Sequence, residues 1–138
     1  ATMLYDNKSA DKVKANQLYD DAIVFLDRFQ EDEARKKVIE YGEAAARGAG
    51  NLKNADRLLV MWIQEFPTDS ERPKMMSLRA YTLWELGDEA GSTRMYQQIV
   101  DEYPGTDWAT DAEGALMMNT LDFDSGELPE YFEKPVEQ

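Results

Sequence analysis

The feature that most constrains this chain is a segment that occurs twice, at an offset of 37 residues. Residues 50–67 (GNLKNADRLLVMWIQEFP) align without a gap on residues 87–104 (GDEAGSTRMYQQIVDEYP). The identical pairs are Gly50/Gly87, Arg57/Arg94, Glu65/Glu102 and Pro67/Pro104. One further step of 37 residues back brings Phe29 into register with Phe66 and Tyr103. A chain that repeats one unit at such a period is expected to fold as a stack of similar modules.

The repeated segment predicts one α-helix, and the residues that follow it predict a second. Within Ala55–Phe66 the apolar residues recur with helical spacing. Pro67 stops this helix, because the residue before a proline avoids the helical conformation. Ser70 is then a suitable N-cap for the next helix, which tolerates Pro73 in its first turn and ends near Gly87, a residue suited to a left-handed cap.

The same reasoning predicts an all-α fold with about six helices, arranged as a right-handed superhelical stack of antiparallel helix pairs over residues 11–121. The other predicted helices span residues 11–29, 32–47 (ended by Gly48), 88–102 and 106–120. No segment alternates apolar and polar residues as a strand would. Residues 1–10 form an N-terminal extension, either a frayed start or a continuation of the first helix. Residues 122–138 read as an extended acidic tail, which Tyr131 and Phe132 could hold against the last helix.

Two missing residue types exclude much of the usual chemistry of active sites. The 138 residues contain no cysteine and no histidine, which removes disulfides, thiolate nucleophiles, histidine bases and nearly all zinc sites. The net charge of −13 disfavours binding to nucleic acid. The longest apolar run, Leu58–Ile63, is far shorter than the roughly 20 residues that a membrane span needs.

The carboxylates do not form a recognisable metal or catalytic site either. The segment DFDSG at residues 122–126 hints at a calcium loop, but its glycine comes one position early and no glutamate closes the loop. Neighbouring acids such as Asp101 and Glu102 point in different directions on a helix, so they make a poor acid–base pair. We therefore expect a protein that is not an enzyme and that holds no cofactor or metal.

The helix pairs resemble tetratricopeptide repeats, and most closely a longer variant found in bacterial envelope proteins. The motifs YPGTDWATDAEGAL and TLWELGDEAGSTRMYQQIVDEYP are similar to those of the outer-membrane assembly lipoprotein and of the periplasmic coordinator of the Tol system. The resemblance covers about residues 11–121 and departs from the pattern at Gln30, at Gly50-Asn51 and at Arg79. It implies the periplasm or cell envelope as the location, with the cytoplasm not excluded.

In such repeats the first helix of each pair lines a concave groove that binds segments of partner proteins. The residues predicted to point into this groove are Lys37, Glu40, Arg47, Lys74, Tyr81, Trp84, Asp111 and Met118. The functional interpretation is that cations beside aromatic rings anchor a peptide. The alternative is that the aromatic rings are core packing and the charges a solvated surface. The arrangement that clamps a C-terminal carboxylate is missing, so chaperone-tail binding is not expected.

A second candidate surface lies in the apolar run, where Val60 and Met61 fall outside the helical stripe. They indicate either a central helix packed on two sides or an exposed patch for self-association. The acidity likewise has two interpretations, a match to a basic partner or solubility in a salty habitat. The sequence thus predicts a scaffold that binds a protein or peptide, with a homo-oligomer or assembly subunit as the alternative.

Overall fold

The computed structural model describes the backbone of residues 2–119 and the side chains of residues 11–119. Over this part of the chain it contains six α-helices and no strand, which confirms the predicted all-α class. The helices are α1 (Thr2–Arg28), α2 (Arg35–Gly48), α3 (Leu52–Glu65), α4 (Arg72–Glu85), α5 (Glu89–Glu102) and α6 (Asp107–Asn119). The predicted acidic tail, with Tyr131, Phe132 and the calcium-like segment, lies outside the described residues.

The first helix is longer than the repeat pattern predicts. It begins at Thr2, so residues 2–10 continue it, which was one of the two predicted alternatives. At 27 residues it is nearly twice as long as the 14-residue helices that follow. At the offset of 37 residues, Val13 corresponds to Gly50, where the chain leaves α2 and turns. Without a glycine to take up the left-handed conformation there, the helix continues.

The predicted start of α4 is wrong. The helix begins at Arg72, and its N-cap Glu71 makes no side-chain cap hydrogen bond. Asp69, rather than Ser70, organises the entry, because its Oδ1 accepts a hydrogen bond from the Glu71 amide at 2.9 Å. This is a side-chain turn that competes with a regular cap. Pro73 does lie in the first turn, as predicted.

The turns after α2 and α4 have the same geometry at the 37-residue offset. Gly50 and Gly87 adopt left-handed conformations, with φ of +78° and +85°. The predicted left-handed conformation of Gly87 is confirmed. The second helix was predicted to end at Gly48, but Gly48 is still helical, and Gly50 makes the turn instead. After each glycine a polar residue caps the next helix: Asn51 Oδ1 accepts from the Asn54 amide, and Asp88 Oδ1 from the Gly91 amide. Glycine avoids the steric cost that any other residue would incur at this φ.

The aromatic residues at the ends of α1, α3 and α5 also occupy equivalent positions. The amides of Phe29, Phe66 and Tyr103 each donate to the carbonyl four residues earlier, at 2.8, 3.1 and 2.9 Å. Two of the rings pack on an aromatic ring one turn back, Phe29 on Phe25 and Phe66 on Trp62. The repeat seen in the sequence is therefore a repeat in three dimensions.

The helices pack on one another in chain order, and α4 also contacts α6. Stacking of helix pairs in this order is the arrangement of a helical solenoid; the right-handed superhelical sense stays a prediction. One continuous core runs through the stack. Its largest fully buried side chains are Trp62, Ile39, Leu58, Leu59, Met76 and Ile99. No helix among the described residues is both long enough and apolar enough to cross a membrane.

Two arginines, again 37 residues apart, tie the stack together. The Arg35 guanidinium donates to the carbonyls of Leu26 and Phe29 at 2.7 Å and forms an ion pair with Glu65. It therefore joins the end of α1 to the end of α3 from the start of α2. Carbonyls at a helix C-terminus have no partner within the helix and favour a nearby cation.

Arg72 repeats this contact one unit later. It donates to the Ile63 carbonyl at 3.2 Å, to Glu102 at 2.7 Å and to the Tyr103 hydroxyl at 3.2 Å. Burial lowers the pKa of the Arg72 guanidinium, but its bonds to Tyr103 and Glu102 outweigh burial and leave that pKa raised. These two residues, called here the arginine braces, belong to the scaffold. Both were missed because the two aligned segments, residues 50–67 and 87–104, contain neither Arg35 nor Arg72.

Candidate functional site

The even-numbered helices α2, α4 and α6 occupy equivalent places in the repeat, and some contacts link them. α4 and α6 are in direct contact, and Arg47 at the end of α2 bonds to α4. We use the word row for a set of positions that are 37 residues apart and therefore equivalent on the three helices. The rows are Lys37/Lys74/Asp111, Tyr41/Leu78/Ala115 and Ala44/Tyr81/Met118. We call these residues, together with Trp84, the even-helix face.

Two large aromatic side chains on this face are about half exposed to solvent. Tyr81 and Trp84 are each 51% exposed, and their ring centroids lie 6.1 Å apart. This exposure contradicts the alternative interpretation that the two rings are core packing, and the core of α4 is supplied by other residues, among them Met76 and Ala80. Offset rings at this separation form one continuous apolar surface.

Tyr41 is a residue of this face that the sequence analysis missed. It is 62% exposed and lies one helical turn after Lys37 on α2. The offset of 37 residues pairs it with Leu78, a partly buried apolar residue at the same position on α4. That pairing was the signal that could have found it.

The face also carries two lysines without a described partner. Lys37 and Lys74 are exposed, and neither forms an ion pair with any described residue. Lys36, which precedes Lys37 in the chain, does have partners. Its ammonium pairs with Asp69 at 2.6 Å and lies over the Trp62 ring. Other exposed cations of the described chain, among them Lys53 and Arg57, also form no ion pair, so this property does not by itself single out Lys37 and Lys74.

Two of the predicted groove residues have other partners in the structure. Arg47 bonds to Glu43, to Glu85 and to the Thr82 hydroxyl, so its charge links α2 to α4. Glu40 accepts a hydrogen bond from the Trp62 indole nitrogen at 3.0 Å. We therefore assign both residues to the scaffold that holds α2 against α3 and α4.

The last two predicted groove residues extend the face onto α6. Asp111 is exposed, and Met118 is 51% exposed. Their positions follow Lys74 and Tyr81 by one unit of 37 residues. The row that starts with Lys37 and Lys74 therefore ends with the carboxylate of Asp111. The row that contains Tyr81 ends with Met118, a flexible thioether side chain.

The candidate association patch is only partly open. Val60 and Met61 are both partly buried. Met61 packs against the core, and its sulfur lies 3.9 Å from the Arg35 guanidinium. α3 contacts both α2 and α4, which favours the interpretation of a helix packed on two sides.

The hydroxyl of Tyr96, close to Tyr81, is uncharged at neutral pH. Tyr96 on α5 has a raised pKa, chiefly because it is partly buried, with an added contribution from nearby Tyr81. The hydroxyl of Tyr96 therefore stays protonated well above neutral pH. A neutral, half-exposed aromatic surface of this kind suits apolar side chains of a partner.

Other parts of the described structure offer little chemistry. A cavity of about 440 Å³ between α1 and the end of α2 is lined mainly by alanines. A second, of about 380 Å³, is lined largely by charged side chains, of which Arg35 and Glu65 form an ion pair with each other. No group of three or more acidic side chains among the described residues could hold a metal ion.

No protein-family model matches this chain, and no curated protein is significantly similar to it. The assignment of function therefore depends on the even-helix face itself.

Proposed function

We propose that this protein is a scaffold without catalytic activity, whose even-helix face binds a segment of a partner protein. The observation that carries the proposal is the exposed pair Tyr81 and Trp84 on a regular helix. The helix does not need them for packing, because its buried side is complete without them. Exposed aromatic residues that cluster on one surface are typical anchors of protein interfaces.

The regular geometry of the repeat supports a binding role. The arginine braces and the glycine turns fix the start and the end of α2 and of α4 in the same way. A rigid surface loses little conformational entropy when it binds a partner. Repeat stacks commonly present an extended surface of this kind to a partner chain.

The alternative, self-association by stacking end to end, is less favoured. Buried Ile39 and Met76 are followed, one unit later, by exposed Glu113 on α6. Buried Leu58 is preceded, one unit earlier, by exposed Asp21 on α1. Stacking two copies in the register of the repeat would bury both carboxylates, which is costly. Polar outer faces of this kind are typical of capping units that end a stack.

The location in the periplasm or cell envelope is a further part of the proposal. It is supported only by the resemblance of the Gly87-Asp88 turn and the Tyr103-Pro104 end to tetratricopeptide proteins of the bacterial envelope.

Affinity capture with matched variants tests the proposed function. The wild type, the double variant Tyr81→Ala/Trp84→Ala and the control Leu18→Ala/Val24→Ala are used as baits in parallel. The control removes similarly exposed apolar side chains from α1. We expect a specific partner to be lost with the first variant and retained with the second, while circular dichroism shows that both are folded. A partner retained by the folded Tyr81→Ala/Trp84→Ala variant would contradict the proposal.

A further inference from the structure

We infer that the segment bound by the even-helix face is basic, and that an arginine of the partner lies over the rings of Tyr81 and Trp84, beside the carboxylates of the turn that joins α4 to α5. This inference rests on the proposed function and specifies the chemistry of the partner. The net charge of −13 left open whether the acidity matches a basic partner or serves solubility. The residues around the two rings favour the first interpretation.

The turn after α4 differs in charge from the turn after α2, although both have the same glycine and cap geometry. Each contains a left-handed glycine, followed by a polar residue that caps the next helix. Residues 47–53 (RGAGNLK) carry two bases and no acid, whereas residues 84–90 (WELGDEA) carry three acids and no base. The turn therefore does not need this group of acids in order to form.

The second turn also exposes large apolar side chains, which the first does not. Every residue from 84 to 90 is exposed, and the exposed fractions of Trp84 and Leu86 are 51% and 37%. The ring of Tyr81, one helical turn earlier, adjoins that of Trp84. The equivalent positions of the first turn hold an arginine and an alanine. Apolar side chains exposed at only one of two equivalent turns indicate a contact that this turn alone makes.

The three acids of the second turn are not equally available to a partner. Glu85 pairs with Arg47, and one oxygen of Asp88 caps α5. Glu89 is exposed and forms no ion pair with any described residue. A cation of a partner can therefore pair with Glu89 without breaking an ion pair that the described chain already makes.

Glu89 lies on the same side of α5 as the aromatic rings. It is seven residues before Tyr96, and at 3.6 residues per turn the two side chains point the same way. The pKa of Tyr96 is raised first by burial and then by Tyr81, which is therefore nearby. Arg94 is exposed, but it is two residues before Tyr96 and points to the opposite side of α5. The side of α5 that faces the rings thus presents a carboxylate and not this cation.

The other cations near the rings do not neutralise the end of α4. Arg47 is already held by two carboxylates. Lys74 is ten residues before Trp84, so its backbone is about 15 Å away along the helix, and exposed Glu71 precedes it by one turn. The surface around Trp84 is therefore negative, as is the molecule as a whole. Charge complementarity calls for a positive group of the partner here.

A cation beside both rings and carboxylates is the arrangement that this chain already uses once. The Lys36 ammonium lies 5.7 Å from the centroid of the Trp62 ring while it pairs with Asp69. Aromatic faces attract cations at such distances. An arginine suits the exposed site best, because its planar guanidinium can stack on a ring and donate to a carboxylate at its edge at the same time.

Selection from a random peptide library tests this inference. Peptides displayed on phage are selected on the full chain, and the affinities of the best synthetic peptides are measured by calorimetry. We expect enriched peptides to share an arginine next to aromatic or aliphatic residues. Replacing that arginine with citrulline, which has nearly the same shape but no charge, should weaken binding at least about fivefold, and added salt should weaken binding of the arginine peptide.

Matched variants of the protein locate the charge. Glu89→Lys should weaken binding at least about fivefold. The control Asp20→Lys makes the same charge change at an exposed acid of α1 that forms no described ion pair, and it should stay within about twofold of the wild type. Trp84→Leu keeps an apolar side chain but removes the ring, and it should weaken binding about threefold.

The outcomes separate this inference from the proposed function. Peptides that depend on Tyr81 and Trp84, but bind equally well with citrulline and to Glu89→Lys, would overturn this inference alone. If no peptide is enriched, or if no enriched peptide loses affinity in Tyr81→Ala/Trp84→Ala, the proposed function fails with it.

Discussion

The junction between α1 and α2 and the junction between α3 and α4 are equivalent in the repeat, yet they are built differently. Each contains an arginine brace, Arg35 in the first and Arg72 in the second. The first junction has Gly42 at its centre, where an added Cβ would lie 2.8 Å from Leu58 and 2.9 Å from Ala22. The second has Arg79 at the same position, paired with Asp56 on α3.

The difference shows which parts of the repeat are fixed and which can vary. Glycine lets α1 and α2 pack in closer contact than α3 and α4, where a long charged side chain fills the equivalent place. The braces and turns hold the ends of the helices, while the residue at the centre of the junction sets how closely the units approach. Arg79 was one of the three departures from the tetratricopeptide pattern, and its guanidinium donates to the Asp56 carboxylate on α3.

The largest effect on the free energy of unfolding is expected when Gly42, in the first junction, is replaced by arginine, the residue at the equivalent position of the second. Gly42→Arg places a long side chain against Leu58 and Ala22 and should lower the free energy of unfolding by more than about 3 kcal/mol. The reference is Arg79→Ala, which removes a partly exposed ion pair and should cost about 1 kcal/mol or less. Urea unfolding measures both, and equal losses would show that the two junctions do not differ as described.

The next effect compares the two braces. Arg35 is 8% exposed and holds two carbonyls as well as Glu65. Arg35→Met should therefore cost about 3 kcal/mol, because these groups lose buried partners. Arg72→Met should cost about 1 to 2 kcal/mol, since its partner Glu102 is more exposed. Thermal unfolding of the two variants tests this order, and a larger loss for Arg72→Met would refute it.

A smaller difference is expected between the helix caps of the two units. Asp88 Oδ1 lies 2.9 Å from the Gly91 amide, whereas Asn51 Oδ1 lies 3.4 Å from the Asn54 amide. Asp88→Ala should lower the free energy of unfolding by about 1 kcal/mol, and Asn51→Ala by roughly half as much. Denaturant midpoints distinguish the two, and the opposite order would show that cap geometry does not decide the cost.

The smallest effect concerns the ion pair between Lys36 and Asp69 outside the first brace. Its hydrogen bond to Lys36 lowers the pKa of Asp69, and the same bond raises the pKa of Lys36. The stability gained from Asp69 is therefore present above its unfolded pKa of about 3.9 and is lost as the pH falls through the lower folded value. The gain from Lys36 is present below about pH 10.4 and is lost as the pH rises through its raised folded pKa.

Comparing the wild type with Lys36→Met from acidic to alkaline pH measures this contribution. The small difference in stability should be constant near neutral pH and should disappear at both extremes. A difference that persists at pH values well below the Asp69 pKa would show that the pair is not its source.

Much of the fold could be predicted because the repeat places the same signals at the same spacing. Six helices, the left-handed Gly87 and the equivalent aromatic ends at Phe29, Phe66 and Tyr103 all follow from local patterns. The errors at Ser70 and Gly48 have a local cause, because neighbouring residues, Asp69 and Gly50, could serve the same purpose. Sequence spacing alone does not choose between such neighbours.

The candidate site was less predictable, because partner choice depends on distances between helices. Arg47 and Lys74 looked alike in the sequence, yet only Arg47 lies where Thr82 and Glu85 can accept from it. Glu40 was likewise assigned to the groove, but the Trp62 indole lies within its reach. The helical period alone could not reveal either contact, and it left open whether Tyr81 is exposed or packed in the core.

The central claim is that the even-helix face is the surface that a partner covers. Hydroxyl-radical footprinting of the chain with and without the partner recovered by affinity capture tests it most directly. The account predicts that oxidation of Tyr41, Tyr81 and Trp84 falls several-fold, while exposed Leu18 on α1 and exposed Phe29 just after its end stay as reactive as in the free protein. Protection of Leu18 and Phe29 with unchanged Tyr81 and Trp84 would contradict the claim.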